Sequence, residues 1–291
     1  MPSFSFPDLV DRVAPSVVGV PDGPAGGSGV VFAPGLVATL ARNVPDDGVP
    51  LVTTAGTVDG HVVGRDPSVD LAVVRVTADL PALDWSADDA PPSRIGATVY
   101  AFGDPGGRGL RATVGAIAAA PRAVRGPTGR LLEGALEHTA PLPSGAGGGP
   151  LLDADARVLG LNAVRLPGGL ILAWPAAALA ARATALAAGR ATAPPRIGVA
   201  LASPRQTRRL RAAVGLEPVD GLLVRAVADE SAAAAAGLRR GDVLLSAGDA
   251  PLDGVDALYA AIDDAPGGAL TLRVLGGSEE REITITLKDH A

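Results

Sequence analysis

The chain has 291 residues, 47% of them hydrophobic but only 3% aromatic, with 38 glycines, 26 prolines, no cysteine and a formal net charge of −6. That length suits about two domains, whose cores have to be built from Val, Leu, Ile and Ala. The lack of cysteine excludes disulfides, thiolate metal sites and a cysteine nucleophile, and the acidic balance, without a basic stretch to neutralise a run of phosphates, argues against nucleic acid as a partner.

The first ten residues have neither a basic n-region nor an apolar h-region, so they do not read as a signal peptide. No run of about eighteen apolar residues free of charge and proline follows, so no membrane-spanning helix is expected. The expectation is a cytoplasmic protein, with export or membrane tethering the alternative if a leader has been removed. Residues 8–20 read as a short amphipathic helix entering a strand. Short Val-rich strands broken by turn residues are then expected at Gly29–Phe32, Leu36–Leu40, His61–Val63, Leu71–Val76, Thr98–Phe102 and Arg111–Ile117. Further ones are expected at Leu151–Leu152, Val158–Val164 and Leu170–Trp174. Many short strands separated by turns predict a β-barrel or sandwich.

Residues 176–193 are nearly all Ala, with a few Leu, Arg and Thr, and end at Pro194-Pro195. Alanine favours a helix and proline stops one, which predicts a terminal helix and then a linker. The domains are therefore drawn as 1–190, a linker at 191–195, and 196–291. The last segment mixes strands (Gly198–Leu201, Gly221–Val227, Val243–Ala247, Leu270–Val274, Glu282–Leu287) with helices (Thr207–Val214, Ser231–Ala236, Val255–Asp264), a small α+β domain. Its cationic run, Arg205, Arg208, Arg209 and Arg211, has the spacing of a solvated helix face. The three histidines, His61, His138 and His290, show no metal-ligand spacing, so neither a metal nor another cofactor is expected.

Specific strings resemble the HtrA/Deg serine proteases, in order and over nearly the whole chain. They are Phe6 to Val18 at the opening segment, Gly27-Ser28-Gly29-Val30-Val31 at the first glycine-bearing strand, and Val63 to Val74 around the triad aspartate. Ala101 to Gly106 then resembles the family's Ile-Gly-Asn-Pro turn, and Gly148-Gly149-Pro150-Leu151-Leu152-Asp153 the segment after its serine. The resemblance implies a mostly β fold, a trypsin-like double β-barrel followed by a PDZ domain. It also implies trimers through N-terminal aromatic residues, for which Phe4 and Phe6 are the equivalents.

A serine protease needs a hydroxyl to attack, an imidazole to take its proton and a carboxylate to hold the imidazole. The family's histidine lies in Thr-Asn-Ala-His-Val-Val; the matching string here is Thr39-Leu40-Ala41-Arg42-Asn43-Val44, which puts Arg42 at the histidine position. An arginine, with its pKa above about 12, is no general base near neutrality. The family's serine lies in Asn-Ser-Gly-Gly-Pro-Leu; the match is Gly147. Of the triad only Asp70 remains, and a further family aspartate is Thr139. The resemblance leaves an oxyanion-hole-like nest of backbone N–H groups at Gly145 and Gly147. Asp70 is expected to pair with Arg42. A rearranged Ser144/His138 pair is the competing arrangement.

In the last segment, Arg196-Ile197-Gly198-Val199 resembles the carboxylate-binding loop of an HtrA-type PDZ domain, and Ala232 to Gly248 its core turn and strand. PDZ domains add a peptide as a strand to a sheet edge. The implied peptide site comprises Ile197, Gly198, Val199, Leu201, Leu258 and Ile262, with core packing the alternative role for the apolar ones. Three functions follow: a non-catalytic peptide-binding pseudoprotease, a serine endopeptidase with a displaced nucleophile, and a purely structural oligomer.

Overall fold

The computed structural model describes residues 5–21, 26–45, 48–85, 94–129, 131–190, 196–265 and 268–287. The chain divides into two units, Met1–Ala193 and Pro194–Ala291. The expected linker, 191–195, lies outside the described residues, as do Phe4 and His290.

The first unit begins with α1 (Phe6–Val13). Asp8 N–H donates to Ser5 Oγ at 3.4 Å and Ser5 N–H to Asp8 Oδ2 at 3.3 Å, a reciprocal box that satisfies two otherwise unpaired donors. Leu9 and Val13, one turn apart, are buried. Phe6, expected at a trimer contact, is half-buried against Tyr100 of its own chain, with ring centroids 5.3 Å apart.

Six strands follow: β1 (Val17–Val20), β2 (Gly27–Ala33), β3 (Leu36–Leu40), β4 (Val49–Thr53), β5 (Gly56–Asp66) and β6 (Leu71–Val76). They form an antiparallel sheet ordered β1-β2-β3-β6-β5-β4, and β4 returns against β1. Val18, Val20, Val31, Val37, Leu51 and Val74 fill the interior of this first barrel.

The second barrel uses β7 (Thr98–Gly103), β8 (Arg111–Ala116), β9 (Arg122–Arg125), β10 (Leu131–His138), β11 (Pro150–Leu152), β12 (Val158–Arg165) and β13 (Ile171–Pro175). Their order is β8-β7-β11-β12-β13-β10-β9. Ala118 N–H donates to Glu137 O at 2.7 Å and Thr139 N–H to Ala116 O at 3.0 Å, joining the ends of β8 and β10 and closing the sheet. Sequence reading missed β4, β9 and β10. In β10 the string Leu-Leu-Glu-Gly-Ala-Leu-Glu-His is rich in good helix formers, but pairing with β13 and β9 overrides that propensity, with a bulge at Glu133-Gly134.

Helix α2 (Ala176–Ala187) buries Leu179, Ala183 and Leu186 and lies on β5 and β6 of the first barrel and on β12 and β13 of the second. Arg182 pairs with fully buried Asp66 at 2.6 Å, and Asp66 also accepts Ser68 N–H at 2.9 Å. The helix ends earlier than the prolines suggested. Gly189, at φ +70°, donates to Leu186 O, and Arg190 N–H reaches back to Ala185 O, both at 2.9 Å. This is a left-handed glycine stop, which terminates the helix before Pro194 is reached.

The second unit is a six-stranded sheet. Its main path is β14 (Val199–Ala202), β15 (Leu222–Val227), β16 (Val243–Ala247), β18 (Ala269–Gly276) and β19 (Glu279–Thr286), and β17 (Ala250–Pro251) pairs beside β16. The helices are α3 (Pro204–Ala213), α4 (Ala232–Ala235) and α5 (Val255–Asp263). Leu222, Leu244, Leu272 and Ile285 anchor its core. Among the described residues no helix is long and apolar enough to cross a membrane.

Candidate functional site

The turn after β5 carries Asp70 at φ +54°, a left-handed conformation that aspartate tolerates better than most side chains. Asp70 O accepts from Ala41 N–H at 2.9 Å, and Asp70 Oδ1 accepts from Arg42 N–H at 3.1 Å. Arg42 Nη1 donates to Asp70 Oδ2, forming the expected ion pair. Arg42 Nη2 donates to Ala163 O on β12, so one guanidinium ties the first barrel to the second. Asp70 is 4% exposed. Burial pushes its carboxyl above the usual carboxylate range, and the Arg42 charge, with the N–H groups of Arg42 and Ala41, pulls it back only in part.

Position 147 faces this pair. A Cβ built on Gly147 would stand 3.7 Å from Arg42 Nη2 and 3.1 Å from Leu40 Cδ1, so the Arg42 guanidinium contacts Asp70 and also borders position 147. The loop around Gly147 is gripped from the first barrel. Ser28 N–H and Asn43 Nδ2 both donate to Gly147 O at 2.9 Å, and Ser28 Oγ donates to Gly145 O at 3.2 Å. Gly148, at φ +92°, has no room for a side chain, because a Cβ there would strike Ser28 O.

From the other side, Asn162 supports the loop. Its Nδ2 donates to Gly149 O at 2.9 Å and Pro150 O at 3.1 Å, and its own carbonyl accepts from Gly148 N–H at 2.7 Å. Asn162 Oδ1 is thereby left to accept from His138 Nε2, 2.9 Å away. That assigns the proton of the neutral ring to Nε2. Among the described residues His138 Nδ1 is buried with no hydrogen-bond partner, and burial pushes this histidine down to about 4, the bond to Asn162 opposing in part. Ser144 is exposed and lines the cleft, whereas His138 is fully buried and turned to Asn162. The structure therefore does not bring Ser144 and His138 together as a nucleophile and its base. His61 is exposed on β5, and Thr139 Oγ1 accepts from Ala116 N–H at 3.0 Å within the barrel closure.

Arg42, Asn43, Gly145, Gly147, Leu142 and Ile171 are among the residues lining a cleft of about 250 Å³. The structure brings Arg42, Asp70, Gly145 and Gly147 together; Ser28, Asn43 and Asn162, which hold the loop, were not singled out in the sequence. The available signal was a lone hydroxyl or amide inside an apolar run, as in Val158–Val164, since a buried amide needs partners.

In the second unit, Ile197, Leu258 and Ile262 are 2–4% exposed and belong to one core cluster. Val199 and Leu201 on β14 are half-buried against it. Gly198 sits at φ +80°, tight against Ser231.

A family model described as a trypsin-like peptidase domain matches residues 27–161, and one described as a PDZ domain matches 223–276. The first unit is thus of the trypsin-like peptidase class, and the second carries a PDZ domain. The putative serine protease HhoA of Synechocystis sp. is 30% identical over 274 residues, which cover 89% of this chain and 69% of that protein. The probable periplasmic serine endoprotease DegP-like of Rickettsia prowazekii is 26% identical over 270 residues, 89% of this chain. Among solved structures, the HtrA-type protease AlgW with decapeptide matches with a TM-score of 0.73 at 23% identity over 99% of both chains. The chain belongs to the HtrA/DegP family of serine proteases. It spans about half the length of the DegP-like relatives, 52% of the Rickettsia protein. These relatives are named as periplasmic, which lends no support to the cytoplasmic expectation.

Two outcomes follow from the geometry. Arg42→Ala strands a buried carboxylate. Because the arginine side chain is 49% exposed, the loss should be about 1–2 kcal/mol, less than for a fully buried pair; urea unfolding midpoints measure it, and an unchanged midpoint would show the pair to be idle. For His138 the folded state holds fewer protons than the unfolded state between about pH 6.5 and about 4. Stability should therefore fall as pH falls through that window, and His138→Gln should flatten the dependence of Tm on pH.

Proposed function

We propose that this chain is a catalytically inactive HtrA homologue that works as a peptide- and protein-binding scaffold. The observation that carries the reading is Arg42 standing between Asp70 and Gly147. A permanently protonated guanidinium cannot accept a proton from a nucleophile, and glycine offers no nucleophile. Losing either the serine or the histidine of a triad costs about 10⁶ in kcat in the subtilisin case, so both losses together leave no route to proteolysis at this site. The displaced-nucleophile alternative is disfavoured by the engagement of His138 with Asn162.

In this reading the PDZ domain takes C-terminal or exposed apolar peptide segments. β14 is the end strand of its sheet among the described residues, a free edge to which a peptide can add as a strand. The loop of Ile197 and Gly198 would hold the terminal carboxylate. Val199 and Leu201 would meet the peptide, over a floor made by Ile197, Leu258 and Ile262. The exported location of the periplasmic relatives is preferred for this chain over a cytoplasmic one. The homotrimer implied by the family resemblance through Phe4 and Phe6 also belongs to this proposal, and Phe6 would enter it with its ring already packed on Tyr100.

Casein and a serine-reactive fluorophosphonate probe test the reading. The wild type should be silent with both, and the Arg42→His/Gly147→Ser double variant, for which Gly147 has nearly enough room, should gain labelling or cleavage. Wild-type cleavage that disappears in Ser144→Ala would reinstate an enzyme. In the PDZ domain, Gly198→Ala forces a methyl group into Ser231 at a left-handed φ. A strain of about 1–2 kcal/mol should weaken binding of a peptide ending in valine or leucine by about tenfold, as read by fluorescence anisotropy; unchanged affinity would place the peptide elsewhere.

A further inference from the structure

The turn that enters β16 carries two adjacent arginines on a fixed backbone. After α4 the chain bends at Gly237, φ +80°, whose N–H donates to Ala234 O at 3.0 Å. It then runs Leu238-Arg239-Arg240-Gly241-Asp242 into the strand. Asp242 N–H donates to Arg239 O at 3.1 Å, and Asp242 Oδ2 accepts from Arg239 N–H at 2.9 Å. β15 pins the same turn: Gly241 N–H donates to Val224 O at 2.9 Å, and Val224 N–H donates to Asp242 O at 2.8 Å. Arg239 and Arg240 are exposed, whereas Asp242 is buried.

The hairpin of β18 and β19 supplies the facing wall. Arg281 Nη2 donates to Asp242 Oδ2 at 2.6 Å. The guanidinium lies against Gly276, where a Cβ would collide with Arg281 Nη1. Arg211, 5% exposed, donates from Nη2 to Gly277 O at 3.2 Å and from Nε to Glu217 O at 2.8 Å, which fixes the hairpin turn.

These residues line a hollow of about 680 Å³ formed by three arginines, four glycines and Asp242, a volume suited to a small ligand. Its one carboxylate is already engaged by Arg281 and by Arg239 N–H. Among the described residues the guanidinium groups of Arg239 and Arg240 have no hydrogen-bond or ion-pair partner. Three cations against one carboxylate leave the hollow positive, in a chain whose formal net charge is −6. The planar donor fork of arginine matches phosphate. The hollow is larger than a phosphate, so the ligand carries a further group. The lining has no apolar or aromatic side chain, so that group is hydroxylated, neither a hydrocarbon nor a stacked base.

We propose that this hollow binds a phosphate monoester of a small polyol, its phosphate held by Arg239 and Arg240 and its hydroxyl groups by the glycine backbone. The inference shares no residue with the peptide edge, since β14 and β19 end the sheet path on opposite sides. It is also independent of whether the first unit is catalytic.

The test uses the full chain, with ¹H–¹⁵N resonances of Gly241 and Gly277 reporting the hollow and Gly198 the peptide loop. sn-Glycerol 3-phosphate should shift the Gly241 and Gly277 amides saturably and leave Gly198 in place, and uncharged glycerol should shift neither. Arg239→Gln/Arg240→Gln removes two exposed cations outside the core; it should weaken the ester by about tenfold or more and leave the urea midpoint unchanged. Gly277 sits at φ +64°, which Asp and Asn tolerate, so Gly277→Asp should also weaken binding and Gly277→Asn should not. Sedimentation with phosphatidylcholine vesicles containing phosphatidic acid distinguishes the sources. Retention that the double variant abolishes assigns a lipid headgroup, and binding of the soluble ester alone assigns a free polyol phosphate. Inorganic phosphate binding as tightly as the ester would overturn the polyol assignment. The proposal as a whole is overturned if glycerol 3-phosphate gives no saturable shift, if potassium chloride at equal ionic strength reproduces the shifts, or if Arg239→Gln/Arg240→Gln binds with full affinity.

Discussion

The first unit is organised around one buried carboxylate that has to be satisfied. Asp70 is held in a left-handed turn, removed from water, and given a partner from the connection between β3 and β4, Arg42. The guanidinium reaches farther than an imidazole, and this length lets it contact Ala163 O in the opposite barrel as well. An imidazole changes charge close to neutrality, whereas a guanidinium keeps its charge at every physiological pH. The pair is therefore a fixed electrostatic link within the first barrel, and the bond from Arg42 to Ala163 O extends it to the second.

The loop facing that pair keeps its shape through neutral hydrogen bonds that need no catalytic side chain. Ser28 and Asn43 hold the carbonyls of Gly145 and Gly147 from one barrel, and Asn162, itself braced by His138, holds the segment from Gly148 to Pro150 from the other. His138 serves this framework only as a neutral ring, because a proton on Nδ1 would sit buried without an acceptor. The framework and the reactive groups are thus separable. The framework closes here around an arginine at position 42 and a position 147 that carries no side chain.

Much of this was legible in the sequence. Short Val-rich runs broken by turn residues mark β3 and β6 at their observed bounds, and ordered strings single out positions 42, 70 and 147. What stayed hidden has physical causes. β10 is written in helix-favouring residues and is a strand only because its neighbours supply partners. Ser28, Asn43 and Asn162 act on residues 117, 104 and 13 positions away, and local periodicity carries no trace of such contacts. Whether Ile197, Leu258 and Ile262 are core or pocket is likewise a matter of three-dimensional burial, and the structure places all three in the core cluster.

The end of α2 bears on how such chains are assembled. At the end of the helix that packs on both barrels, the N–H groups of Ala188 to Arg190 satisfy the carbonyls of Thr184, Ala185 and Leu186, and Arg75 on β6 donates to Ala187 O at 3.1 Å. All four of these donors belong to the first unit. The peptidase-like unit thus carries within itself the stop of the helix that packs on both of its barrels.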